Sequence, residues 1–344
     1  MKNKFWPSKS SEWKEVDPEE QGLDSSKIAE MFEFIEKHSY DVHSVIISRN
    51  GYLLTEKYLS KSQLLDSKSY PGGKKMHNQW SATKSVISIL IGIALQRGFL
   101  NNLNQTLYEF YKDIWDSNFT DSEIKKNVTI EQLLKMNGGF MGGKEAPKTK
   151  DSFDLINWAL AEVPIGFTPG QAGKFEYSND GVNLLSGIIT KVSGGKSAKE
   201  FAKEYLFTPL KISEGEYDWW HDDEGISAGG YGLSCTPKVQ AKIGILCLNN
   251  GNWNGTQIVE PNFMSDAITP QTGFYSKGKD KQSGVSYGYL WIITEKPFKG
   301  YYAAGAAGQC IFVIPEYNIT VGVTGALGVE WFYEQMISDY ILPK

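Results

Sequence analysis

The chain of 344 residues is 41% hydrophobic and 22% charged with a net charge of -5, an ordinary globular composition sized for two domains or one large mixed one. No basic cluster supplies the electrostatic footprint that a phosphate backbone requires, which excludes nucleic acid as an expected partner. The longest apolar run, Val86 to Leu95, is broken by Ser88 and Gly92 and falls short of the ~20 residues that cross a bilayer, so no membrane span is expected.

The opening MKNKFWPSKSSEWKEVDPEE is followed by no apolar signal region or small-residue cleavage site. The expectation is a cytoplasmic protein, or an exported one if the first residue is already a processed terminus. From Asp24, the run DSSKIAEMFEFIEKH sets Ile28, Met31, Phe32 and Ile35 at helical spacing behind Asp24 or Ser25 as N-cap. VHSVIISR and YLLTEKYL then flank Asn50-Gly51, the strongest two-residue hairpin signal. SATKSVISILIGIALQRG is apolar around nearly its whole circumference, which predicts a helix buried on every side.

Helical patterns continue in TIEQLLKM, DLINWALAEV, NLLSGIITKVSG and SAKEFAKEYLF, separated by Gly-, Pro- and Asn-rich breaks. After about Gly225, KVQAKIGILCLNNG and PNFMSDAI read as helices. YGYLWII, YYAAG, QCIFVIP and ITVGVTG read as strands, and a final helix lies near EWFYEQMISDYI. The expected architecture is α+β: residues 1–75 and 225–344 form a sheet-containing domain built from both termini, and 76–224 form a mainly helical insert.

Three cysteines, Cys235, Cys247 and Cys310, have no C-x-x-C spacing and read as reduced core thiols. His38, His43, His77 and His221 show no paired ligand spacing, so neither a metal nor another cofactor is expected. S-x-x-K places a serine and a lysine on one helix face, where the amine can lie against the hydroxyl it must deprotonate. The pattern occurs at Ser11, Ser81, Ser122, Ser193 and Ser276. Ser81 is singled out because it opens the apolar helix, where burial would lower the pKa of Lys84 and the helix N-terminus would favour an alkoxide. The other four pairs lie in polar stretches and read as solvated lysines beside surface serines.

Tyr177-Ser178-Asn179 is the chain's only Y-x-N. Tyr177 could bring a phenol or phenolate to the Ser81 oxygen, and the Asn179 amide could orient Lys84 and a substrate carbonyl. Glu176, next to Tyr177 on an extended segment, would point the opposite way. His221-Asp222-Asp223-Glu224 could be a pocket rim or a solvated loop, of which the loop is the better reading.

Ser81-Ala82-Thr83-Lys84 and Tyr177-Ser178-Asn179 resemble the first two motifs of the class C β-lactamase family, which includes penicillin-binding DD-peptidases and family VIII carboxylesterases. The likeness runs over roughly residues 17 to 340. It implies a β-lactamase/transpeptidase-like fold, an antiparallel sheet flanked by helices. It also implies an oxyanion hole from the backbone N–H groups of Ser81 and Ala306. The third family motif, K-T-G or H-T-G, falls here on Ala303-Ala304-Gly305, so the cation and hydroxyl that hold a substrate carboxylate in the family are missing. Gln271-Thr272-Gly273 resembles that motif superficially but reads as a turn after a helix. Trp80, Trp219, Trp220, Tyr287 and Trp291 fall in segments that resemble pocket-lining loops of the family, although ordinary core packing is the plainer reading of such aromatics. With Ala303 and Gly305, Tyr287 and Trp291 are the expected substrate-binding positions.

The function implied is a serine hydrolase acting through an acyl-enzyme on small neutral esters or simple amides. Lys84 and Tyr177 would share the proton transfers. Three alternatives are a β-lactamase or DD-peptidase, an amide hydrolase of the aminohexanoate-oligomer type suggested by the Gly308-Gln309 strand, and a non-catalytic sensor or scaffold.

Overall fold

Antiparallel pairing brings the two ends of the chain into one sheet. The structure, a computed structural model, describes residues 4–59, 76–142, 153–273, 285–327 and 330–343; the S-x-x-K at Ser276 lies outside them. The strands are β1 (Val42–Arg49), β2 (Tyr52–Tyr58), β3 (His77–Asn78), β4 (Tyr217–Trp219), β5 (Leu233–Cys235), β6 (Asn252–Trp253) and β7 (Thr256–Gln257). After these come β8 (Thr272–Gly273), β9 (Val285–Tyr287), β10 (Ile292–Thr294), β11 (Gly300–Gly305), β12 (Gln309–Ile314) and β13 (Ile319–Gly325). Eight of them form the main sheet in the order β2-β1-β13-β12-β11-β10-β9-β8, and β3-β5-β4 form a small second sheet.

The β1–β2 turn uses Asn50 at φ 52° and Gly51 at φ 84°, the left-handed pair a two-residue hairpin requires. β12 and β13 are buried along their whole length, because the sheet is covered on both faces. On one face, Val45, Ile47, Phe312 and Val321 meet α1 (Ser25–Lys37) and residues of the C-terminal helix such as Tyr333 and Ile337. α1 is capped as its sequence predicts, with Asp24 Oδ1 accepting from the Ser26 and Lys27 N–H groups.

The opposite face, through Ile46, Ala303, Ile311 and Val313, joins the larger core. Its helices are α2 (Thr83–Gln96), α3 (Leu107–Tyr111), α4 (Ser122–Lys125), α5 (Ile130–Leu134), α6 (Leu155–Ala161), α7 (Asn179–Val192), α8 (Ala198–Ala202), α9 (Pro237–Leu248) and α10 (Pro261–Ala267); α11 (Glu330–Tyr340) ends the fold. Every residue of α2 from Thr83 to Ala94 is buried, as the all-round apolar pattern predicts. No helix among the described residues is long and apolar enough to cross a membrane.

Three local readings change. The run YGYLWII is not one strand: Gly288 N–H donates to the Trp291 carbonyl, and Tyr289 N–H to Ala267 of α10. A Cβ on Gly288 would sit 2.0 Å from the Ala267 carbonyl, so close approach to α10 breaks the run into β9 and β10. Thr272-Gly273 is the edge strand β8 paired with β9, not a turn. α7 begins at Asn179, four residues before NLLSGIITKVSG, with the Ser178 hydroxyl as N-cap to Gly181.

Candidate active site

The segment between β3 and α2 is held from several sides before it reaches Ser81. Gln79 is buried; its N–H donates to the Leu233 carbonyl at 2.7 Å and its amide oxygen accepts from Gln240 at 2.8 Å. Trp80 follows in the left-handed region at φ 46°, which for a bulky side chain stores about 1–3 kcal/mol. Its N–H is caught by the Asn78 side chain at 2.8 Å. A 3-10 turn, Trp80–Ala82, leads into α2 and leaves Ser81 partly exposed.

The end of β11 presses on this turn: a Cβ on Gly305 would lie 2.0 Å from the Gln79 carbonyl and 3.1 Å from Ala82 N. Ala303 and Gly305 thus lie buried beside the Ser81 turn. Ala306 opens a 3-10 turn in which Ala307 takes φ 61°, and the Gln309 amide ties this turn to the Gly325 carbonyl at 2.6 Å.

Lys84, one turn into the helix, is 1% exposed. Its Nζ reaches Ser81 Oγ at 3.1 Å, Asn179 Oδ1 at 2.6 Å and the Gly230 carbonyl at 2.7 Å. The ring of Tyr177 stands 4.6 Å from the same nitrogen. Burial lowers its pKa to about 7, against an upward pull from the Asp180 carboxylate. Two of the three partners are carbonyl oxygens, which only accept. A neutral amine therefore gives its two protons to Asn179 and Gly230 and turns its lone pair to the Ser81 hydroxyl. The fold brings Ser81, Lys84, Tyr177 and Asn179 together.

Gly230 is missing from the sequence reading, since its contribution is a backbone carbonyl. A trace of it was present in Gly229-Gly230: Cβ atoms there would lie 2.6 Å from the Val182 carbonyl and 3.0 Å from Asn179 Cβ. The Asn183 side chain fixes Gly230 by accepting its N–H at 3.0 Å.

Other sequence readings are corrected. Trp291 is fully buried with its ring edge-on to Tyr301 and offers no face to a ligand. Tyr287, 3% exposed, packs edge-on against Phe175 and belongs to the core. Trp219 is also core, whereas Trp80 and Trp220 expose 44% and 49% of their surface. Ser122 and Lys125 are buried rather than solvated. The Ser122 hydroxyl accepts from Trp115 Nε1 and donates to the Asp116 carbonyl, while Lys125 Nζ donates to the Leu160 carbonyl. Asp222 is likewise buried and receives the N–H groups of Leu155, Glu224 and Ile226, so the loop it anchors is a built turn. Glu176 accepts from the Gly142 N–H at 3.2 Å.

The family profile described as Beta-lactamase matches residues 30–327. No curated protein sequence matches the chain. Among solved structures, a Bacillus anthracis protein described as a 6-aminohexanoate-dimer hydrolase is similar at 19% identity and TM-score 0.69, covering 89% of this chain and 80% of its own. An octameric penicillin-binding protein homologue from Pyrococcus abyssi is similar at 19% identity and TM-score 0.69, over 91% and 76% of the two chains. A family VIII carboxylesterase is similar at 16% identity and TM-score 0.68, over 92% and 96%.

Proposed function

The chain belongs to the beta-lactamase family, and from that premise we propose that it is a serine hydrolase that cleaves small neutral esters or simple amides through an acyl-enzyme on Ser81. The observation that carries this reading is the Lys84 amine, fully buried, 3.1 Å from Ser81 Oγ and committed elsewhere to two acceptors. In this scheme Ser81 Oγ attacks the carbonyl carbon and its proton passes to Lys84, with Tyr177 sharing the return of that proton to the leaving oxygen or nitrogen. Backbone N–H groups of Ser81 and Ala306 receive the oxyanion. Water then attacks the acyl-serine, releasing the acid and restoring Ser81.

The alanine at position 303 argues for neutral substrates over penicillins, because no side-chain cation stands there to pair with a carboxylate. The carboxylesterase neighbour supports the ester arm. A second reading, hydrolysis of a linear amide, rests on the Bacillus anthracis neighbour. Turnover of short p-nitrophenyl esters, a linear aminohexanoate dimer and nitrocefin, with Ser81→Ala as control, tests the proposal. Ester or amide turnover exceeding nitrocefin turnover and lost in Ser81→Ala is expected. Activity that survives Ser81→Ala overturns it.

A further inference from the structure

Two buried glutamine amides converge on one strand behind the Ser81 turn. Gln240 of α9 is fully buried; its Nε2 donates to Gln79 Oε1 at 2.8 Å and to the Val323 carbonyl of β13 at 3.3 Å. Gln79 gives its own Nε2 to the His77 carbonyl at 2.9 Å, so it turns only an oxygen to Gln240 and fixes which way round that amide lies. Gln309, the first residue of β12, is buried as well. Its Nε2 donates to the Gly325 carbonyl of β13 at 2.6 Å and to the Ala307 carbonyl at 3.2 Å. The two anchors on β13 are thus only two residues apart.

Each glutamine serves a turn of uncommon backbone. In one, Trp80 at φ 46° precedes Ser81; in the other, Ala307 at φ 61° follows Ala306. Residues other than glycine keep such dihedrals only where neighbouring contacts over-determine them. Both amides also leave Oε1 buried with no donor among the described residues. Methionine or leucine would fill the same space without an unpaired acceptor, so packing alone does not account for glutamine at either position. The strand makes room for this arrangement, since a Cβ on Gly322 would lie 2.9 Å from Gln240 Oε1.

We infer that Gln240 and Gln309 set the span of the oxyanion hole, tying the turns that carry the Ser81 and Ala306 N–H groups to neighbouring carbonyls of β13. Neither side chain has surface left to meet a substrate, so both are positioning residues. Donors held at a fixed spacing stabilise the developing oxyanion without reorganising during the reaction. The inference rests on the reading of Ser81 as nucleophile and of Ser81 and Ala306 as oxyanion donors.

Gln240→Met and Gln309→Met each remove one anchor while nearly keeping side-chain volume. In both, kcat on a p-nitrophenyl ester is expected to fall about 10-fold or more, short of the roughly 10²–10³ lost when an oxyanion donor itself is removed. KM should stay close to wild type. In Gln240→Met the unpaired oxygen lost from Gln240 is replaced by one on Gln79, so Tm should change little. Thr320→Val supplies the structural comparison: it breaks the buried Ser48–Thr320 hydrogen bond farther along β13 and should lower Tm with kcat unchanged.

Crystal structures of wild type and the two glutamine variants read the span without turnover. The separation of the Ser81 and Ala306 nitrogens should differ from wild type by about 0.5 Å or more in each variant. Wild-type protein inert towards esters and amides would remove the hydrolase reading, whereas a changed separation in the variants would still uphold the anchoring. Gln309→Met decides the matter alone if Gln240→Met does not fold. An unchanged separation, or a kcat no lower than that of Thr320→Val, would overturn the inference.

Discussion

At the scale of single residues, the chemistry turns on the Lys84 nitrogen. An ammonium has three protons for Ser81, Asn179 and Gly230, whereas the amine has two protons and a lone pair, and only the Ser81 hydroxyl can donate to that pair. Because deprotonation makes the base, hydrolysis should rise with pH through a midpoint at about 7. Lys84→Met should cost roughly 10²–10⁴ in rate and erase that limb; an unchanged acid limb in this variant would remove Lys84 from the role. The Ser81–Lys84 pair was legible because it opens an apolar helix and falls within a long family likeness, and Asn179 because Y-x-N occurs once. The burial of Lys125 was not legible. DSEIKKN looks polar as a string, and what closes over Lys125 comes from Leu160 and Phe140, distant in sequence.

At the scale of elements, the site is a meeting of backbone segments. β11 ends on a glycine because nothing larger fits against the turn before α2, and the Gly229-Gly230 stretch approaches α7 for the same reason. Gly305→Ala forces a Cβ onto the Gln79 carbonyl, an overpacking that should cost about 1–3 kcal/mol. The accompanying shift of Ser81 should cost on the order of 10²-fold in kcat/KM. Gly98→Ala, just beyond α2, meets nothing within 4 Å but keeps φ at 73°; it should cost about 1 kcal/mol of stability with kcat unchanged. Steady-state rates and thermal melts on the two variants check this contrast, and equal activity in both would contradict it. Helices and strands themselves were largely readable from periodicity and caps. Trp291 and Tyr287 were not placed by the sequence, because an aromatic in a segment like a family pocket loop reads the same whether it lines a cleft or fills a core, and only the packing of the folded chain decides which.

At the scale of the whole molecule, buried titratable groups give stability a defined pH dependence. Lys84, Lys125 and Lys242 are held by burial at about 7, about 8 and about 8, below the ordinary 10.5. The unfolded chain binds more protons across that window, so stability rises with pH through it. Burial pushes the Cys235 and Cys247 thiols above their ordinary 9.0, and the Tyr111, Tyr287 and Tyr301 phenols above 10.0. There the folded chain keeps protons that the unfolded chain loses, and the slope reverses. The Tm should climb from pH 7 to about pH 9 and fall beyond it; a steady decline from pH 7 would contradict these assignments. The central claim is that one serine of this 344-residue chain is an activated nucleophile. Intact-mass analysis after reaction with a fluorophosphonate, followed by peptide mapping, tests it most directly. A single adduct on Ser81, absent from Ser81→Ala, is the predicted result, and no adduct on wild type, or one that persists in Ser81→Ala, would contradict it.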